Sequence, residues 1–108
     1  MERTVLKLRK QYPERVPVIC TPTPNCKLPL LHNKQFLVPK DSTLGTFIYM
    51  LRQKLKITSQ TGLILFINNE LPPTTITFGE LEKYVVKPPE GDDCLHITYS
   101  SENTFGCL

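Results

Sequence analysis

Two hydrophobic periods alternate along the chain, and prolines separate them. Residues 3–11 (RTVLKLRKQ) are good helix formers with Val5, Leu8 and Tyr12 at i, i+3 and i+7, predicting a short amphipathic helix stopped by Pro13. Residues 15–20 predict a strand. Pro17 within it has no N–H to donate, so its nitrogen must face no neighbouring strand. Residues 21–33 (TPTPNCKLPLLHN) are too proline-rich for regular structure and predict a turn region. Residues 35–38 predict a second, short strand stopped by Pro39.

The strongest helical pattern follows. Asp41, Ser42 and Thr43 offer N-cap oxygens, and Leu44, Phe47, Ile48, Leu51 and Leu55 then make one apolar stripe. Arg52, Gln53, Lys54 and Lys56 fall in its last turns, where positive charge suits the helix dipole. Residues 63–67 (LILFI) are an unbroken apolar run, predicting a buried central strand turned by Asn68-Asn69-Glu70. Residues 78–85 predict a short helix, 87–93 a polar loop, and 94–99 an alternating last strand. Two strands, a helix across them and two further strands make an α+β, β-grasp pattern, with the first and last strands parallel at the centre.

Composition adds exclusions. A chain of 108 residues, 40% apolar and 21% charged, is one ordinary globular domain, and no apolar run approaches the length of a membrane helix. Charged residues interrupt the first twenty positions, so no signal peptide is expected and the cytoplasm is the expected compartment. Cys20, Cys26, Cys94 and Cys107 have no metal-ligand spacing and are read as reduced thiols. Phe105 stands fourth from the end, where a prenylation signal needs cysteine. No catalytic, cofactor or metal constellation is present, and His32 and His96 read as surface or packing residues.

Charge is divided along the chain. Residues 1–56 hold eleven Lys/Arg against three acids, a net +8, and residues 57–108 hold two against seven, a net −5. Such a field suits an acidic partner, an anionic membrane or simply a solvated basic face. Without aromatic-basic interleaving, nucleic acid is not an expected partner.

An ordered set of segments says more than the periods do. Residues 12–19 (YPERVPVI), 36–39 (FLVP), 43–47 (TLGTF), 66–74 (FINNELPPT), 97–100 (ITYS) and 102–106 (ENTFG) resemble, in order and spacing, the autophagy ubiquitin-like modifiers of the GABARAP and microtubule-associated light-chain group. The resemblance implies a ubiquitin-like β-grasp domain at 13–100, a short helical segment at 1–12 and a flexible tail at 101–108. It implies that a cysteine protease cuts after Gly106, beside Phe105, and that activating and conjugating enzymes pass Gly106 to phosphatidylethanolamine. The lipidated protein would sit on the autophagosome membrane and bind receptor peptides of aromatic-x-x-aliphatic form. A carboxyl end threading narrow enzyme channels favours glycine, which has no side chain beside the attacked carbonyl.

The same resemblance implies peptide-binding residues. Leu8, Pro17, Ile19, Gln35, Leu37 and Cys94 fall at the first pocket; Phe36, Val38, Pro39, Phe47 and Met50 fall at the second, and Arg52 falls on a basic helix face. A strand at 35–38 would offer a sheet edge to an added strand. Core packing is the rival role for Leu37, Phe47 and Met50. Departures from the family pattern are a shortened N-terminal region, Gln35 in place of a lysine, Cys94 in place of a large aromatic, and a loop before Cys94 about three residues longer. They predict altered partner choice. A non-conjugated peptide-binding module and a modifier attached to protein are the alternative functions.

Overall fold

The computed structural model describes residues 2–24, 26–58 and 60–101, and the side chains of all of these except residues 2–4 and 6. Helix α1 spans Glu2–Gln11, and strand β1 spans Arg15–Pro22. Val5 is buried and Leu8 half-buried, as the apolar face of α1 requires. Strand β2, Gln35–Pro39, runs antiparallel to β1, and strand β4, Leu95–Ser100, runs parallel to it. Strand β3, Ile64–Phe66, is antiparallel to β4, so the sheet order is β2-β1-β4-β3. First and last strands share the centre, as the β-grasp pattern predicts.

Helix α2, Leu44–Leu55, buries Leu44, Phe47, Leu51 and Leu55 in one core with Val16, Val18, Leu95, Ile97 and Tyr99 of the sheet. Its start is set by Thr43, whose hydroxyl accepts the Thr46 N–H at 3.3 Å. Its end is set by Lys56, left-handed at φ 57°, whose N–H returns to Gln53 O. The Phe47 ring meets Phe36 and Phe78 edge-on, at centroid distances of 5.6 and 5.3 Å. Helix α3, Phe78–Leu81, is capped by Thr77 and continues only as a 3-10 turn, Glu82–Tyr84.

Three expectations need correction. The run at 63–67 is not a central strand: β3 is three residues long and lies at the sheet edge, with Leu65 buried and Ile64 and Phe66 half-buried. An apolar run reports burial, whereas sheet position depends on which distant strand pairs with it. Thr21 and Pro22, expected in a turn, belong to β1 and pair with Thr98 and Tyr99. Proline is tolerated there because β2 stops opposite Ile19 and leaves that side of β1 without a ladder. The helix predicted over 78–85 is α-helical for only four residues.

Pro17 meets the condition set for it. The Cys20 N–H donates to Lys34 O on the β2 side, so by alternation the Pro17 nitrogen points toward β4. The parallel ladder begins one residue later, at Val18 opposite Leu95. Cys20, Cys26 and Cys94 are free thiols.

Candidate functional site

Strand β2 has a neighbour on one side only. The bonds Cys20 N–H to Lys34 O and Lys40 N–H to Glu14 O put the even-numbered backbone groups of this stretch toward β1. The N–H and C=O groups of Gln35 and Leu37 therefore point off the sheet. Asn33 Oδ1 accepts the Gln35 N–H at 3.1 Å, and Arg15 Nη1 lies 3.5 Å from Leu37 O. The Leu37 N–H and the Gln35 C=O are left on the open edge, the pair an added strand uses.

Beside that edge lies a cavity of about 470 Å³ on the sheet face opposite α2. Pro17 and Ile19 of β1 form its floor with Gln35 and Leu37 of β2, Leu8 of α1 covers it, and Cys94 closes its far end. All six residues placed at a first pocket by sequence come together here. Val5, Val18, Asn33 and Phe36 also line it. Val5 was legible as part of the α1 stripe, whereas Asn33 had no distinguishing signal. None of the ten lining side chains is charged, so the cavity suits a neutral aromatic or aliphatic group.

The five residues of the second pocket divide differently. Phe47 is 3% exposed and Val38 7%, so both are core residues. Phe36, Pro39 and Met50 are half-buried and present what is reachable between β2 and α2. Arg52 acts locally, its Nη1 donating to Thr58 O at 2.9 Å and to Thr61 O at 2.5 Å, which pins the loop after α2. Gly106 and Phe105 lie outside the described residues. Ser101, counted with the tail by sequence, is buried beside the end of β4.

A second cavity of about 500 Å³ adjoins the first, with Cys94 in the wall of both. Tyr84, Val86, Glu90, Gly91, Asp92 and His96 line it, above the buried Ile67. Gly91 lies against Val86 so closely that a Cβ would collide with the Val86 carbonyl. The Asp93 N–H closes the loop onto Val86 O at 3.0 Å. Asp92 accepts the Cys94 N–H at 3.1 Å and pairs with His96 Nε2 at 2.7 Å. Sequence reasoning missed this cavity because its residues come from three separate segments.

Burial governs the ionisation of the site. Burial pushes the Cys94 thiol up to about 11, with Asp92 and Asp93 adding to the rise and Arg9 opposing it. Cys20, deeper in the core, is pushed up to about 12 by burial. Both are protonated, unreactive thiols at neutral pH. Among the described residues no group of three or more His, Cys, Asp or Glu is arranged to hold a metal, and no helix is long and apolar enough to cross a membrane.

Comparisons with known proteins agree with this geometry. The family described as "Autophagy protein Atg8 ubiquitin like" matches residues 2–106. Autophagy-related protein 8e of Arabidopsis thaliana is 40% identical over 101 residues, which cover 93% of this chain and 80% of that protein. The crystal structure of Trypanosoma brucei ATG8 superposes with a TM-score of 0.83 at 27% identity, covering 94% of this chain and 84% of that one.

Proposed function

The chain belongs to the Atg8 family of ubiquitin-like autophagy proteins, and from that premise we propose that it is a modifier, trimmed after Gly106, joined to phosphatidylethanolamine and acting as a peptide adaptor on the autophagosome membrane. Its role is to be carried and recognised rather than to catalyse. In this reading residues 13–100 are the body, residues 101–108 carry the end that is handed to the enzymes, and Val5 and Leu8 of α1 line the peptide cavity. The partners are a processing cysteine protease, activating and conjugating enzymes, and receptor peptides.

The observation that carries the adaptor role is the neutral cavity beside the open edge of β2. A peptide adding to that edge would bond to the Leu37 N–H and the Gln35 C=O and place an aromatic side chain between Leu8 and Pro17. An aliphatic side chain three residues on would lie against Phe36, Pro39 and Met50, since alternate strand residues face opposite sides. Attachment is supported by the extent of the family match, which runs to Gly106 and leaves Cys107 and Leu108 beyond it. Glycine at that point gives an attacking amine an unobstructed carbonyl.

Incubating the full chain and its Gly106→Ala variant in autophagy-competent lysate tests the reading. Only the unmodified chain should give a trimmed, faster-migrating product that phospholipase D returns to the unlipidated form. A shifted product resistant to phospholipase D would indicate attachment to protein. Identical behaviour of both chains would leave a peptide-binding module that is not conjugated.

A further inference from the structure

The strands divide the molecule into two poles of different charge. β1 and β4 are parallel and end together, while β2 starts opposite Ile19 and β3 starts opposite Ser100. The loop over 23–34 therefore lies at the pole where β4 ends and the carboxyl segment departs. Helix α2 begins just past the end of β2 and runs back about 18 Å, bringing Lys54 and Lys56 toward this same pole. Residues 20–35, 53–64 and 95–101 contain no acid. Lys27, Lys34, Lys54 and Lys56 are exposed there, without an ion pair among the described residues. The acids of the described side chains gather at the opposite pole. Glu14 precedes β1, Asp41 follows β2, Glu70 follows β3, and Glu90, Asp92 and Asp93 precede β4. Glu80 and Glu82 join them, since the Gly79 N–H donates to Lys40 O just past β2. Beyond Ser101 the sequence adds a single acid, Glu102.

An exposed apolar side chain marks the cationic pole. The Thr23 N–H donates to Tyr99 O at 2.9 Å, and the Tyr99 hydroxyl donates to Pro29 O at 3.2 Å. These bonds hold the loop against the end of β4. Leu31 is buried and Leu28 half-buried, whereas Leu30 is 71% exposed, more than any other large apolar residue described.

We propose that this pole is a contact surface for anionic lipid, with Leu30 entering the headgroup layer while Lys27, Lys34, Lys54 and Lys56 meet negatively charged headgroups. The inference rests on the reading that Gly106 is joined to lipid. Five residues separate Ser101 from Gly106, a reach of at most about 18 Å, so the attachment holds this pole nearest the bilayer. The lysines draw the loop to anionic headgroups, and Leu30 loses exposed apolar area on entry. Repulsion of the acidic pole favours the same orientation.

The chain has no tryptophan, so single substitutions report which pole meets lipid. Leu30→Trp is the probe, and Leu71→Trp, at an exposed position of the opposite pole, is the control. Each full-length variant, with hexahistidine appended after Leu108, is anchored to nickel-chelating vesicles of phosphatidylcholine, with or without phosphatidylserine. Emission from position 30 should shift to the blue on the phosphatidylserine vesicles, and emission from position 71 should not. Adding Lys27→Gln and Lys34→Gln should lower the docked-to-undocked ratio about fivefold per lysine, and raising salt should act in the same direction. Equal emission changes at both positions, or a shift at position 30 that is the same without phosphatidylserine, overturn the proposal. No shift on vesicles, with a shift on adding polyglutamate, assigns the pole to an acidic peptide and overturns it too. Because the nickel anchor replaces conjugation, these outcomes are independent of whether Gly106 is joined to lipid, which the Gly106→Ala comparison decides.

Discussion

Arg9 and Asp93 join the first helix to the loop before the last strand. Arg9 Nη2 donates to the Asp93 carbonyl at 3.0 Å, and Arg9 Nε lies 3.2 Å from Asp93 Oδ2. Glu82 completes the arrangement at 2.6 Å and lies 3.6 Å from Lys40 at the end of β2. The cluster holds α1 over the cavity that Leu8 covers. It also fixes the loop that lines the second cavity, so one ion-pair cluster sets the shape of both.

Arg9→Ala is therefore expected to cost about 1–2 kcal/mol, since it leaves Asp93, whose side chain is 8% exposed, without its cation. Hydrogen exchange should show faster exchange at the α1 amides with little change in α2, and peptide affinity should fall with it. Uniform faster exchange across the domain would mean that the cluster supports the whole fold rather than α1.

Phe47 stabilises the fold before it recognises anything. Its ring is 3% exposed and packed against Phe36 and Phe78. Phe47→Ala should cost about 3–5 kcal/mol in denaturant titration, the usual range for removing a buried ring. Met50→Ala, at a half-buried position, should cost less than half as much while weakening peptides with a large aliphatic residue.

The buried thiols make a prediction about alkaline pH. Cys20 is pushed from 9.0 to about 12 in the folded chain, so between those values the unfolded state releases a proton that the folded state keeps. Stability is then full below about pH 9 and declines as pH rises toward 12, by up to about 1.4 kcal/mol per pH unit for one such thiol. Urea midpoints measured at about pH 8 and about pH 10.5 should fall in that order, and Cys20→Ala should flatten the slope. A thiol reagent at the lower of these pH values should label Cys26 well before Cys20 or Cys94.

Arg52 pins the carbonyls of Thr58 and Thr61 through one nitrogen. Arg52→Ala should destabilise the domain by about 1–2 kcal/mol and speed proteolysis within 57–62, with the first cavity unaffected. Lost peptide binding with unchanged protease resistance would instead assign Arg52 to the ligand.

What the residues reveal depends on how locally each feature is specified. Helix α2 was legible because its N-cap, apolar stripe and terminal cations agree over one short stretch. The parallel β1–β4 pair followed from element order, since β-grasp topology leaves those strands in the centre. The edge position of β3 was not legible, because Leu63 to Ile67 would be equally apolar in a central strand. The strand character of Thr21 and Pro22 was hidden because it depends on pairing with Thr98 and Tyr99. Residues of the first cavity could be named from the family resemblance, and the fold brings them together. The second cavity and the Arg9–Asp93 contact were not legible, because nothing in either segment identifies its distant partner.

Attachment through the carboxyl end is tested most directly by the intact mass of the protein recovered from autophagy-induced cells. The expected species lacks Cys107 and Leu108, is heavier by one phosphatidylethanolamine, and is absent from cells carrying Gly106→Ala. A single species retaining both terminal residues, unchanged by that substitution, would contradict it.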